Sequence, residues 1–185
     1  MLRVISGIAR GSKLKNVNLS STRPIQDRVK ESLFNILKDS LEDSLFLDLF
    51  AGTGSVGVEA LSQGCQKAIF VENNYQAIEV IKFNLKKTNF ILKSQVIDQD
   101  VFKAIKMLHQ QKQVFDFIFV GPPQFKDLLS KTLLSLKEYP LYIPSTTIII
   151  GQAHPKEELK EIPSFRLQEK RRYGNTVLLF YKVDP

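Results

Sequence analysis

The chain has 185 residues, of which 43% are hydrophobic, 10% aromatic and 24% charged; this fits one compact domain with a sizeable core and excludes disorder over most of its length. A single cysteine, Cys65, excludes an internal disulfide, and with only His109 and His154 beside it there is no Cys/His set for zinc, so no metal is expected. The net charge of +7 is unevenly placed: Arg3, Arg10, Lys13, Lys15, Arg23, Arg28 and Lys30 face only Asp27 in the first thirty residues, giving that segment +6. Such a segment suits a polyanion, RNA or DNA, through counterion release at phosphates; the plainer alternative is a solvated basic surface.

No apolar stretch is long enough for a signal peptide or a membrane span, so a cytoplasmic protein away from membranes is expected. Residues 1–24 read as a basic N-terminal extension, with a short strand at Leu2–Ile5 and a turn around Arg10-Gly11-Ser12-Lys13 making a β-hairpin. A helix from Gln26 to Lys38 buries Val29, Leu33, Ile36 and Leu37. Strand-like runs then follow at Leu45–Phe50, Lys67–Glu72, Ser94–Asp98, Phe115–Val120 and Thr146–Ile150. Between them lie helical patterns at Val56–Gln63, around Ile78 to Leu85, at Val101–His109 and around Leu128 to Leu136. This alternation is the signature of a parallel sheet covered on both faces, hence an α/β fold in one domain over residues 1–185. The rhythm breaks at the end, where Phe165–Lys170 and Thr176–Lys182 are separated by Tyr173-Gly174-Asn175 and read as a hairpin. Ahead of it, Glu157, Glu158 and Glu161 with Lys156 and Lys160 read as an exposed helical face.

The chemistry concentrates at strand ends. Asp48-Leu49-Phe50-Ala51-Gly52-Thr53-Gly54-Ser55-Val56-Gly57 turns the first strand into a helix, the place where open α/β sheets bind nucleotides. Glu72 ends the next strand, twenty positions after Gly52, where a carboxylate takes both ribose hydroxyls of a nucleoside. A pyrophosphate cofactor prefers neutral or positive surroundings at a helix N-terminus, yet Asp48 stands just before the glycines. That acid points to a cationic ligand, and S-adenosylmethionine, with a sulfonium, an ammonium and no phosphate, suits it better than NAD. After the third strand either Asp98 or Asp100 is placed to cap the next helix; the cap is assigned to Asp98, and Asp100 to the adenine amino group. Gly121-Pro122-Pro123-Gln124-Phe125 closes the fourth strand with a rigid loop whose free carbonyls suit a substrate amine, or which simply ends the strand. His109 and His154 read as structural or surface residues, and Cys65 as a small packing residue.

The glycine loop, Glu72, the Pro-Pro loop, the early Thr22-Arg23-Pro24-Ile25-Gln26-Asp27-Arg28-Val29-Lys30-Glu31 and the late Tyr173-Gly174-Asn175-Thr176 together resemble the bacterial guanine-N2 methyltransferase of small-subunit rRNA, the RsmD type. The resemblance spans nearly the whole chain. It implies a Rossmann-like class I methyltransferase, a seven-stranded, mostly parallel sheet with a reversed terminal strand. It also implies S-adenosylmethionine as cofactor, and as substrate one guanine of 16S rRNA on an assembling small subunit, approached by a monomer. Carried over, Asp48, Phe50, Gly52 and Gly54 line the cofactor, Glu72 with Asn73 its ribose, and Asp100 with Val101 its adenine. Arg3, Arg10, Lys13, Lys15, Arg23 and Arg28 grip RNA. The loop Gly121, Pro122, Pro123 and Gln124 faces the target amine but departs from the family, which carries Asp or Asn, Pro-Pro, then Tyr or Phe. Gly121 offers no side-chain acceptor and Gln124 no stacking ring. Gly151 likewise stands where the family places an acid. Two rivals follow: a catalytically weak or inactive protein that binds cofactor and RNA in ribosome assembly, and a DNA or protein methyltransferase.

Overall fold

The computed structural model describes residues 2–17 and 25–184. Thr22, Arg23 and Pro24 of the early motif, and with them the RNA-gripping role of Arg23, lie outside the described residues. In chain order the elements are α1 (Asp27–Leu37), β1 (Leu45–Leu49), α2 (Ser55–Ser62), β2 (Lys67–Glu72), α3 (Tyr75–Lys87), β3 (Ser94–Asp98), α4 (Val101–Gln110), β4 (Phe117–Val120), α5 (Leu128–Glu138), β5 (Ile148–Ala153), β6 (Phe165–Tyr173) and β7 (Thr176–Val183).

The seven strands form one sheet in the order β3-β2-β1-β4-β5-β7-β6, with β3 to β5 parallel and β7 antiparallel to both β5 and β6. The sheet therefore reverses at its end, as the resemblance implies. Alternation along β1 sends Phe46 to one core and Leu47 and Leu49 to the other, since successive strand residues point to opposite faces. The first core gathers Val29, Leu33, Phe34 and Leu37 of α1 with side chains of α2 and α3; the second gathers Ala104, Ile105 and Leu108 of α4 with Leu129, Leu133 and Leu136 of α5. The chain order reverses between β1 and β4, so the carboxyl ends of these neighbours open a crevice.

Three expectations need correction. Residues Leu2–Ile5 make no strand: the segment doubles back through one antiparallel bridge, Arg3 to Lys13, and Leu14 N donates to the Leu2 carbonyl at 2.9 Å. Its backbone is committed elsewhere, because Ile5 N and Ser6 N donate to the Glu59 carboxylate on α2. Gly7 packs so closely on α2 that a Cβ would sit 1.8 Å from the Ser62 carbonyl oxygen. Residues 156–161 form a turn and loop, not a helix; Glu157 instead accepts from the His154 backbone N–H at 2.7 Å. The fourth strand begins at Phe117, because Phe115 bridges to Tyr142 outside the ladder.

Candidate active site

The glycine loop leaves β1 sharply. Phe50 has a positive φ of 63°, Gly54 sits at the N-terminus of α2 with φ 73°, and Gly57 lets the helix lie on the sheet, since a Cβ there would be 2.3 Å from the Phe70 ring. The Gly57 backbone N–H donates to Asp48 Oδ2 at 3.0 Å. Asp48 is 1% exposed, and burial pushes its carboxyl up to about 7; the Gly57 hydrogen bond works against this rise and the nearby Glu72 adds to it. A buried acid with one donor and no cation beside it among the described residues is an arrangement that a positively charged ligand group would complete.

Glu72 is fixed by three backbone donors: Gly52 N at 2.8 Å on Oε2, and Asn73 N and Asn74 N at 2.9 Å on Oε1. These contacts tie the β2 end to the glycine loop and take three of the carboxylate's four acceptor sites, leaving a lone pair on Oε2 for a ligand hydroxyl. Beside it lies a cavity of about 250 Å³ that brings together Phe50, Glu72, Asn73, Asp100, Val101 and Pro123 of the Pro-Pro loop, all named from the sequence, with Phe102 and Lys126, which were not. The helix cap falls on Asp100 rather than Asp98: its Oδ1 accepts from Phe102 N at 3.0 Å and Lys103 N at 3.3 Å. Asp98 is an exposed strand end opposite Glu72. Capping uses one oxygen of Asp100 and leaves Oδ2 for a ligand amine.

Across Phe50 a smaller pocket of about 60 Å³ is lined by Asp48, Gly52, Ser55, Phe119, Gly121 and Gln152, with Val17 and Ile25 at its rim. The two cavities together are at the low end of the roughly 300–1,000 Å³ of small-ligand sites. Ser55 Oγ is buried without a hydrogen-bond partner among the described residues, a polar group that calls for an acceptor or donor from a ligand. Ser55, Phe119 and Gln152 were missed because their types are unremarkable; their places, Ser55 opening α2 and Phe119 and Gln152 near the carboxyl ends of β4 and β5, were the available signal. Of the Pro-Pro loop, Gly121 borders this pocket and Pro123 the larger one. Phe125 turns away: with φ 61° it lays its ring on His154 at 4.8 Å and lines another cavity, so it does not replace the aromatic that Gln124 lacks. His109, as expected, is structural, with Nδ1 3.0 Å from the Pro140 carbonyl oxygen.

The basic segment is bolted to this site. Lys30 and Glu59 form a fully buried ion pair at 3.0 Å, and Lys30 Nζ also donates to the Arg3 carbonyl at 2.6 Å. Lys30 is thus no part of a basic surface, which corrects the charge count. Asn84 on α3, also buried, accepts from Lys15 N at 2.7 Å and donates to the carbonyls of Lys15 and Thr53 at 3.1 and 3.0 Å. One amide therefore joins the N-terminal segment to the glycine loop. Arg3, Arg10, Lys13, Lys15 and Arg28 are exposed, Arg3 paired with Asp27 at 3.3 Å and Lys15 resting over the Phe83 ring. Among the described residues no group of three His, Cys, Asp or Glu is placed to hold a metal, and no helix is long and apolar enough to cross a membrane.

The family model described as Conserved hypothetical protein 95 matches residues 2–182. The chain is 36% identical, over 98% of both chains, to YlbH of Bacillus subtilis, which is named provisionally as an rRNA methyltransferase. It is 35% identical to Ribosomal RNA small subunit methyltransferase D of Haemophilus influenzae, over 80% of this chain and 77% of that one. Among solved structures, a hypothetical protein of Thermus thermophilus superposes with a TM-score of 0.84 at 29% identity, covering 99% of this chain and 100% of the other.

Proposed function

The chain belongs to the Conserved hypothetical protein 95 family, the RsmD-type methyltransferases, and from that membership we propose that it transfers a methyl group from S-adenosylmethionine to the N2 amine of a guanine in 16S rRNA. The observation that carries the reading is the paired site: a nucleoside-sized cavity with Glu72 and Asp100 and, sharing Phe50 as a wall, a pocket with the buried Asp48 and Gly121 of the Pro-Pro loop. A binder of RNA alone has no use for that cavity.

When bound, S-adenosylmethionine supplies an electrophilic methyl group on a positively charged sulfonium. Asp48 and Ser55 are the groups that would hold its amino-acid end, Glu72 its ribose and Asp100 Oδ2 its adenine. The chain's own work is then to orient the guanine and exclude water. A guanine N2 lone pair is delocalised into the ring, so the amine becomes nucleophilic only as acceptors draw its N–H groups out of that conjugation. The loop carbonyls of Gly121 and Pro122 are the acceptors left where Gly121 has no side chain. Holding the amine in line supplies several kcal/mol without a base, since orientation alone is worth up to ~7–11 kcal/mol. Arg3, Arg10, Lys13, Lys15 and Arg28 hold the RNA backbone in the cytoplasm.

Calorimetry with S-adenosylhomocysteine tests the cofactor half: saturable binding at one site is expected, and no heat at millimolar ligand would overturn it. Replacing Arg10, Lys13 and Lys15 with Gln tests the RNA half. Weaker binding to small-subunit rRNA with a shallower salt dependence is expected; unchanged binding would reduce these residues to a solvated surface.

A further inference from the structure

The sheet places a second group of basic side chains beside the target-side pocket. β6 is the open edge of the sheet, and its last residues before the turn include Lys170, Arg171 and Arg172, all exposed, with Glu169 the one acid among them. Register fixes where they stand. Gln152, which lines the pocket, pairs with Leu178 of β7, and Leu178 pairs with Arg171 of β6. Directly paired residues share a face, so Arg171 lies on the pocket's side of the sheet, two strands or ~10 Å from Gln152, while Lys170 and Arg172, paired with Leu179 and Val177 of the other core, project from the opposite face, so that the three straddle the open edge. The hairpin turn is thus at the same end of the sheet as the carboxyl ends of β1 and β4.

Helix α1 completes the surface. The Tyr173 hydroxyl hydrogen-bonds the Ser32 hydroxyl, which docks the hairpin tip on α1. Arg28 is one turn before Ser32 on the same helix face and is exposed, and Ile25, just before the helix, lines the pocket rim. Arg28 therefore stands between the pocket and the tip. Arg172 is held in place by its Nε–H donating to the Gly174 carbonyl at 3.2 Å, leaving its terminal amino groups for a ligand.

We propose that Lys170, Arg171 and Arg172 at the tip of the β6–β7 hairpin, with Arg28 of α1, bind the phosphodiester backbone of the RNA strand that delivers its base to the Gly121 pocket. This rests on the rRNA reading above. Arginine forks match phosphate oxygens in pairs, which suits a site that must hold a strand in register. Charge on an edge strand also guards against edge-to-edge pairing. That purpose asks for charge along the whole edge, whereas here the middle of β6 exposes Leu167 and Gln168 and the basic residues gather at the pocket end, where the single acid, Glu169, pairs with Arg171 Nε and three cations face one carboxylate. At the far end Arg166 is already paired with Asp184 at 3.4 Å.

The test compares the K170Q/R171Q/R172Q protein with wild type and with R166Q/K182Q, which removes charge from the far end of the same hairpin. Binding to unmethylated small-subunit rRNA is measured from 50 to 300 mM salt, and KM and kcat on small subunits beside it. For the tip variant, a slope of log K against log salt shallower by about 2, as three single-strand phosphate contacts require at ~0.7 each, is expected. Its KM rises at least tenfold, with kcat and affinity for S-adenosylhomocysteine unchanged, while the far-end variant follows wild type. Equal slopes and KM for tip variant and wild type overturn the proposal and leave the rRNA reading standing. So does an equal loss in both variants, which would be general charge, or self-association of the tip variant with RNA affinity intact, which would be edge protection. Wild type that binds no rRNA overturns the rRNA reading itself, and this proposal with it.

Discussion

Replacing Gly121 with Asn gives the Pro-Pro loop a side-chain acceptor that Gly121 does not offer. Gly121 does not need a glycine backbone, but its space is taken: a Cβ would lie 2.7 Å from Phe119 Cε1 and 3.3 Å from Cζ. Phe119 is 3% exposed and must shift by a few tenths of an ångström. Such overpacking costs ~1–3 kcal/mol of stability, or roughly 2–4 °C of Tm per kcal/mol in a domain of this size. The same cost is present before and during methyl transfer, so it lowers Tm without lowering kcat. The new hydrogen bond, in contrast, strengthens as the amine becomes positive and acts in the transition state. A well-placed hydrogen bond to developing charge is worth ~2.7–4 kcal/mol, a hundredfold to a thousandfold in rate. Asn is a cleaner test than Asp, because Asp48 lines the same pocket and a second carboxylate would raise its already high pKa. Single-turnover methyl transfer to small subunits is the assay, with S-adenosylhomocysteine affinity as the check that the site is intact. A hundredfold rise at unchanged affinity is expected. A folded, cofactor-binding Gly121→Asn protein no faster than wild type would refute the claim that an acceptor is missing. Gln124→Tyr is expected to act on RNA affinity instead, by stacking worth ~1–3 kcal/mol.

Glu72→Ala should weaken S-adenosylhomocysteine at least tenfold in calorimetry and lower Tm as well, since Gly52, Asn73 and Asn74 lose their acceptor; unchanged affinity would remove Glu72 from the ribose site. Asp48 gives a pH dependence of definite sign. Its folded pKa is raised from 3.8 to about 7, so the native state holds the extra proton between those values and its stability falls as pH rises from about 4 to 7, then levels. Asp48→Asn should flatten that part of the profile. A ligand ammonium favours the ionised acid, so affinity should rise from pH 6 to 8, with proton release seen as buffer-dependent heat; uptake of protons would contradict the assignment. Lys30→Met leaves Glu59 charged and buried and the Arg3 carbonyl without its donor, and should cost ~3–5 kcal/mol in denaturant unfolding. A loss below 1 kcal/mol would show that the pair does not anchor the N-terminal segment.

What was legible in the sequence was what depends on pattern. Alternating apolar runs located β1 to β5 to within a few residues, and the spacing from the glycine loop to Glu72 brought five cofactor-side residues to one cavity. What stayed hidden depends on partners far along the chain. Lys30 looks like one more basic residue until Glu59 is set against it, and Asn84 is an ordinary helix residue until Lys15 and Thr53 meet its amide. Two acids near a helix start do not say which one caps, and Asp100 took the place given to Asp98 because it immediately precedes Val101. The charged run at 156–161 has helical spacing, but Glu157 closes a local turn with His154, its carboxylate accepting from the His154 N–H and its N–H donating to the His154 carbonyl, and the chain continues as a loop. The basic tip of β6 went unread because its nearness to the pocket exists only through β7, by register.

The central claim is methyl transfer to a guanine amine, and one measurement reaches it directly. Small ribosomal subunits from cells lacking this activity are incubated with the protein and S-adenosylmethionine labelled in its methyl group, and the 16S rRNA is digested to nucleosides. Label recovered as N2-methylguanosine at a single position is the result expected, and at limiting cofactor it should fall at least several-fold in Glu72→Ala. Label in no nucleoside from wild type and from Gly121→Asn alike, although both bind S-adenosylhomocysteine and rRNA, would contradict the account and leave a binding protein on a methyltransferase fold.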